Sequence, residues 1–418
     1  MFSRLFPKSY KKKNLLLLGA SGGVSNALLH YLVHHRNLFE HIILLDKSDK
    51  VLTDPYIDHR RLQYHFIHRE LKLPEHEKEY LEILKVYKID IVIDVTDIDS
   101  IPILEATNKA GVSYINTGMN GEVELVSDLV LNIWKRRDEF NKARHIICAG
   151  MNPGVVNMWV RYGIEKFGVP KEVVHFEYDT STIALGWKAM MTWCLKEFIV
   201  ESTRDPGGLM LGRDNVKHVY PNALKNRVDM TSILSPIMHL EKYPHGFQVL
   251  HEENLTIAQK YNIPSQFIYA FNMDTMDTLV AMYDEEKMVY KKDLLLGDNL
   301  QHPLEGSDNI GVLLKYDNKK VYYFNTAPNI SAIGTNGTYT QVIIGIFSAL
   351  FVLLFDRDLK KGLYFVEDLF DSYYKYYLFD NMRVQEYVFE KQEDRYKLES
   401  YTPHVKIRRK SYLEHYYI

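Results

Sequence analysis

Short apolar runs alternate with amphipathic stretches through the first third of the chain. Residues 14–18, 41–45, 89–97, 112–117 and 145–150 are each rich in Ile, Leu and Val and end on polar or turn residues, as strands buried on both faces of a parallel sheet do. Between them, residues 26–33, 75–87, 101–110 and 126–143 predict helices. Strands alternating with helices make a doubly wound parallel sheet, which binds ligands outside the carboxyl ends of its strands. Those ends fall at residues 19–25, Asp46, Thr96-Asp97, Thr117-Gly118 and residues 150–154.

The first of these ends carries the sharpest signal. The first strand runs into Gly19-Ala20-Ser21-Gly22-Gly23-Val24-Ser25, a helix follows, and the second strand ends on Asp46. Glycines let the backbone approach a pyrophosphate, the helix start offers free N–H groups, and an acid after the second strand binds a ribose 2′-hydroxyl. The pattern is G-x-x-G-x-x-S, with Ser25 in the third small position. Lys47-Ser48-Asp49 follows Asp46, with no adjacent arginine to hold a 2′-phosphate, which favours NAD over NADP. The expected cofactor contacts are Gly19, Ser21, Gly22, Gly23, Val24, Asp46, Thr96, Asp97, Thr117, Gly150, Asn152 and Pro153.

Met151-Asn152-Pro153-Gly154 marks a change of domain, followed by a predicted helix over 155–167. From about 172 to 326 strands with longer excursions prevail, among them 173–178, 247–250 and 321–324. The expected fold class is therefore α/β: an N-terminal Rossmann-like parallel sheet over 1–150 and a mixed α+β substrate and dimerisation domain over 151–330. The greasy run 342–355 belongs to a helix over 338–356 expected to return onto the first domain. Residues 357–418 are expected to form an appendage.

Composition narrows the class. The chain has 418 residues, too many for one ordinary core, with 46% hydrophobic and 25% charged residues, the balance of a soluble globular protein. A net charge of −3 provides no field toward nucleic acid or an anionic membrane. Lys11-Lys12-Lys13 and Arg408-Arg409-Lys410 read as solvated ends. Only Cys148 and Cys194 occur, a reduced, cytoplasmic pattern without a disulfide framework. The apolar run 342–355 is shorter than a bilayer requires, and no apolar signal-peptide segment precedes residue 14. No H-E-x-x-H spacing or paired-cysteine pattern suggests a metal, and no Gly-x-Ser-x-Gly elbow suggests a serine hydrolase.

A set of later motifs carries a resemblance. Ala149-Gly150-Met151-Asn152-Pro153-Gly154-Val155-Val156 resembles the domain-crossing segment of the saccharopine dehydrogenase superfamily. Glu177-Tyr178-Asp179-Thr180 resembles the E-R-D-T segment of bacterial-type homospermidine synthases. Thr192-Trp193 with Phe198 and Glu201 resembles their T-W-S-x-x-x-F-x-x-E. His251-Glu252-Glu253-Asn254-Leu255-Thr256-Ile257 resembles H-G-E-x-x-S-I, and residues 307–314 resemble D-E-L-G-V-L-L. Ala327-Pro328-Asn329 through Thr338 to Gln341 resembles A-P-x-x-x-A-T-x-L-Q. These matches are colinear from about residue 14 to 355.

The resemblance implies an NAD-dependent, typically dimeric enzyme that joins two putrescines into homospermidine with loss of ammonia, the cofactor lending and recovering a hydride. It implies Glu177, Trp193, Glu201, His251, Glu253 and Asp308 as diamine-site residues, with Asn152 and Asp97 between cofactor and substrate. The chain departs from the pattern at Ser25, at Asn120 and Glu122 (where the family has a glutamate soon after Y-I-D-T), at Glu252 in place of glycine, and in a shorter stretch between Gly154 and Glu177.

The chemistry agrees with that residue set. Putrescine offers only two ammonium ends and an apolar spacer, so its site needs carboxylates and an aromatic wall. Hydride loss needs one amine neutral, hence an acid/base group of raised pKa, and the resulting imine cation favours an aromatic face or a carboxylate. Blander roles compete: Trp193 in a core, His251 on a surface, Glu201 on a solvated helix face beside Lys196 and Glu197, Asp97 as a helix cap, Asp308 as a turn residue, and Asn272, Asp274 and Asp277 in a turn. Glu177 inside an apolar strand has no such alternative, since a carboxylate there must face a cavity or a partner. A dehydrogenase of the saccharopine or carboxynorspermidine type would need arginine clamps for carboxylates, whereas the motifs between Asn152 and Asp308 are acidic and aromatic. A non-catalytic NAD-binding protein is the remaining alternative.

Overall fold

The computed structural model describes residues 11–122, 124–298 and 301–407; the Arg408–Lys410 cluster lies outside them. The first domain runs β1 (Lys13–Leu18), α1 (Gly23–Leu32), β2 (Phe39–Asp46), β3 (His65–His68), α2 (Glu77–Val86), β4 (Ile91–Asp94), α3 (Ser100–Ala110), β5 (Ser113–Asn116), α4 (Val126–Arg136) and β6 (Arg144–Ile146). Its strands pair in parallel in the order β3-β2-β1-β4-β5-β6, a Rossmann-like arrangement. Because side chains alternate along a strand, β1 feeds two cores. Leu15 and Leu17 pack with α1 on one face, while Leu16 and Leu18 pack with α2, α3 and α4 on the other.

Two elements are shorter than their sequence pattern predicts. The helix expected over 126–143 ends at Arg136; the chain tightens into a 3-10 turn, Arg137–Glu139, and sinks Phe140 into the core. The strand expected to reach residue 150 stops at Ile146, beyond which the Asn116 side-chain Oδ1 accepts the Cys148 N–H.

The second domain begins with α5 (Val155–Phe167), β7 (Glu172–Asp179), α6 (Leu195–Thr203), β8 (Gly207–Gly212), β9 (Asn215–Val219), β10 (Arg227–Asp229), β11 (His245–Val249), α7 (Glu252–Tyr261) and β12 (Ser265–Phe271). The chain continues through α8 (Met273–Glu286), β13 (Ser307–Lys315), β14 (Lys319–Pro328), α9 (Gly337–Phe355), β15 (Gly362–Tyr364), α10 (Tyr373–Asn381), β16 (Gln385–Gln392) and β17 (Arg395–Thr402). Ten strands form one mixed sheet with the path β9-β8-β12-β7-β13-β14-β16-β17, from which β11 branches at β12 and carries β10.

The described part of 357–407 does not stand apart as an appendage. β15 pairs in parallel with β6 as the seventh strand of the first sheet, and β16 and β17 extend the second. The helix α9 covers the first sheet, its Ile343, Ile346 and Leu350 sharing a core with Leu15, Leu17 and Ala27. With 19 residues and a mean hydropathy of 2.0, α9 is long and apolar enough to cross a bilayer, contrary to the shorter run read from sequence; 67% of that window is buried inside the protein. Here it is a core helix.

Candidate functional site

The carboxyl ends of β1, β2, β4 and β5 open into a cleft of about 610 Å³ that continues between the two domains. At its floor Gly19 takes φ +79°, a left-handed conformation that favours glycine, and a Cβ there would press on the Val95 carbonyl at 3.0 Å. Gly23, the first residue of α1, faces the Tyr339 ring of α9, which a Cβ would meet at 2.3 Å. The loop is thus a cradle of bare backbone at a helix start. Ser25 Oγ donates to the Gly19 carbonyl at 2.7 Å and closes the loop onto the helix. Asp46, at the end of β2, accepts the Ser21 N–H (2.9 Å) through Oδ2 and the Ser48 N–H (2.8 Å) through Oδ1. Its carboxylate therefore sits at the rim of the cradle. Gly19, Ser21, Gly22, Gly23, Val24, Asp46, Thr96, Asp97, Thr117, Gly150, Asn152 and Pro153 all line the cleft.

At the other end, strand register assembles the acids. Glu177 on β7 pairs with Tyr269 on β12 and with Ile310 on β13, and Asp179 pairs with Asp308. Paired residues share a face, so Glu177, Asp179, Asp308 and Tyr269 are grouped on one side of the sheet. Glu177 lines the cleft and accepts a short hydrogen bond from Asn152 Nδ2. Burial, then Asp308 and Asp179, push the Glu177 carboxyl well above its ordinary range. Asp308 is wholly buried behind it and is likewise pushed well up, by burial and by Asp179. Asp179 accepts from the Ser181 N–H (2.8 Å) and the Thr192 hydroxyl (2.6 Å).

Trp193 lies just before α6, whose first residue is Leu195. Its indole N–H donates to the Tyr269 hydroxyl at 3.1 Å, its ring meets Phe198 edge-on, and the rest of it lines the cleft. Glu201, on α6, turns inward: Oε1 is buried without a hydrogen bond, and burial raises the carboxyl to about 8. His251 lines the cleft, with Nδ1 at 2.5 Å from Glu253 Oε2 and 3.0 Å from Glu252 Oε2. Although burial opposes a charged ring, Glu253 and Glu252 hold the imidazole well above its ordinary range. Glu253 is fully buried behind it and does not line the cleft. Among the described residues, His251, Glu252 and Glu253 are the one group whose metal-ligand-type atoms lie within 4.8 Å of one another; the imidazole Nδ1 is already engaged by both carboxylates.

The structure also resolves the competing roles. Asp99, not Asp97, stands at the N-cap of α3, and the Asp97 carbonyl accepts from Lys196 Nζ across the cleft. Asp308 lies within β13 and not in a turn. Asn272 caps α8 by accepting the Asp274 and Thr275 N–H groups. Asn120 lines the cleft and donates to the Thr96 carbonyl (2.9 Å), whereas Glu122 points to the surface toward Lys72. Sequence reasoning did not assign Glu252, Phe267 or Tyr269 to the site, though all three line the cleft. The period-2 run Phe267, Tyr269, Phe271 marks one face of a strand, but only pairing with β7 turns that face toward Glu177.

Comparison with known proteins agrees with this architecture. Residues 15–148 match the family described as the saccharopine dehydrogenase NADP binding domain. No curated protein matches the chain in sequence. Among solved structures, homospermidine synthase from Legionella pneumophila in complex with NAD matches with a TM-score of 0.73 at 16% identity, over 90% of this chain and 91% of that one. Myo-inositol 2-dehydrogenase from Lactobacillus plantarum matches at a TM-score of 0.38 and 8% identity, over 75% and 76% of the two chains. The first domain binds a nicotinamide dinucleotide. The chain as a whole has the two-domain α/β fold of that homospermidine synthase structure.

Proposed function

We propose that this protein is a homospermidine synthase, condensing two putrescines to homospermidine and ammonia with NAD as a hydride carrier that is not consumed. The single observation that carries the reading is the placement of two buried acid groups on one aromatic-walled cleft next to the dinucleotide cradle. Glu177, backed by Asp308, forms one group; Glu201 forms the other; Trp193, Phe267 and Tyr269 belong to the same lining. A diamine offers two cationic ends and an apolar spacer, and this lining offers acids and rings.

Held by the Gly19–Gly23 cradle and Asp46, a nicotinamide dinucleotide would supply an acceptor for the hydride and a donor for its return. The chain's residues manage charge. Glu201, whose carboxyl burial pushes up to about 8, is poised near neutral pH to accept or release the amine proton. Asn152 fixes Glu177 at the cofactor side. The indole face of Trp193 stabilises the substrate's imine cation until the second amine adds, ammonia leaves, and the new imine is reduced. NAD is favoured over NADP because the Asp46 carboxylate would repel a 2′-phosphate. We place the enzyme in the cytoplasm as a homodimer, on the strength of the cysteine usage and the family resemblance.

The test is a product assay on purified protein with putrescine and either NAD or NADP, read by mass spectrometry. Homospermidine and ammonia are expected in large excess over the cofactor supplied, with NAD more effective than NADP by at least about tenfold in affinity, or 1.4 kcal/mol. NADH formed in step with amine consumed, without homospermidine, would instead identify a net dehydrogenase. No turnover with NAD intact and bound would favour a non-catalytic binding protein.

A further inference from the structure

One carboxylate in the amine half of the cleft makes contacts that the chemistry above does not use. Glu252, in the first turn of α7, is buried and sends its two oxygens to different domains. Oε1 accepts the Met119 N–H (2.7 Å) in the loop after β5, and Oε2 lies 3.0 Å from His251 Nδ1. Glu253 Oε2 reaches the same nitrogen at 2.5 Å. A ring nitrogen flanked by two carboxylates is an N–H donor, and two anions beside it favour a proton on both nitrogens. Nε2 is the ring nitrogen that these carboxylates leave free.

We propose that Glu252 is a positioning residue for His251: with Glu253 it clamps Nδ1 and keeps Nε2–H as a fixed hydrogen-bond donor into the amine half of the cleft. At that position a neutral amine, which has a lone pair to accept, is favoured over an ammonium, which has none. The inference rests on the diamine reading of the cleft for its substrate but not for its geometry. Other groups also face the ring. Glu201 on α6 and Glu177 on β7 interact favourably with a charged imidazole, and His175 on β7 unfavourably.

The test is the protonation of His251 itself, followed by ¹⁵N NMR on the full chain with labelled histidine and assigned with a His251→Asn variant. In the parent protein the midpoint is expected above the ordinary value of about 6.5. Glu252→Gln keeps an oxygen for the Met119 N–H while removing the charge. It should lower the midpoint by at least about one pH unit, a tenfold loss of proton affinity, with cofactor affinity retained. An unchanged midpoint in folded Glu252→Gln overturns the proposal. If that variant does not fold, a parent midpoint at or below about 6.5 overturns it. Because the readout is a ring proton, a protein that proves unable to condense diamines leaves this test intact. Where putrescine turnover is measured, the alkaline fall in kcat/KM should move to lower pH in Glu252→Gln, and a limb that stays in place while the midpoint moves overturns the donor role.

Discussion

A carboxyl group held at about 8 inside a protein weakens the fold wherever it ionises, and Glu201 is such a group. Its ordinary value is near 4.5, so the folded state binds the proton more tightly than the unfolded chain. The stability it contributes is complete below about pH 4.5 and is lost as pH rises through about 8. Glu201→Gln, which stays neutral, should therefore melt at nearly the parental temperature at pH 5. At pH 9 it should be more stable than the parent by a margin on the order of a few kcal/mol, while putrescine turnover falls steeply. Thermal melts at the two pH values check this; equal gains at both would show that ionisation is not the cause. That Glu177, Trp193, Glu201 and His251 come together on one cleft was legible in the sequence, because they stand in recognisable motifs. Glu252 was not. A glutamate in the first turn of a helix is what the helix dipole favours anyway, so nothing in the pattern distinguishes a dipole partner from a side chain reaching Met119 and His251.

Elements were legible where their hydrophobic period was long and unbroken, as in α5, read from sequence over the residues it occupies, and in α9 within one residue. The short strands β3 and β15 escaped because three or four residues carry too little alternation, and their pairing partners supply the rest. What the sequence also hides is how closely α9 approaches the domain crossing. Gly345 packs against the backbone there, where a Cβ would lie 2.1 Å from the Gly150 carbonyl oxygen and 2.5 Å from that of Ala149. Backbone cannot rotate away as a side chain can, so Gly345→Ala must displace the helix or the crossing. It should destabilise by about 1–3 kcal/mol or more and weaken dinucleotide binding, since Gly150, Asn152 and Pro153 line the cleft just beyond. A melt unchanged from the parent, with unchanged cofactor titration, would show that α9 can be lifted freely from the crossing.

At the scale of the whole molecule the chain is interleaved. Reading 1–150 as the first domain describes where its first six strands lie, yet β15 completes that sheet beyond β6 and α9 packs beside α1 on the same face. The composition shift after residue 150 is real, and the greasy run announces a helix that returns to the first domain, but nothing in the sequence announces β15, a strand of three residues. Returning has a physical consequence. Leu15, Leu17, Ile93 and Ile115 share their core with Ile343, Ile346, Phe347 and Leu350, and a fragment ending at residue 150 would leave those side chains facing water. An apolar face of that kind drives association. Residues 1–150 expressed alone should therefore aggregate or bind a hydrophobic dye and should not bind NAD measurably, whereas the full chain should do neither of the first two and should bind. Size-exclusion chromatography with a cofactor titration decides it: a monomeric fragment that binds NAD as tightly as the full chain would show that α9 and β15 are accessories to a domain that stands by itself.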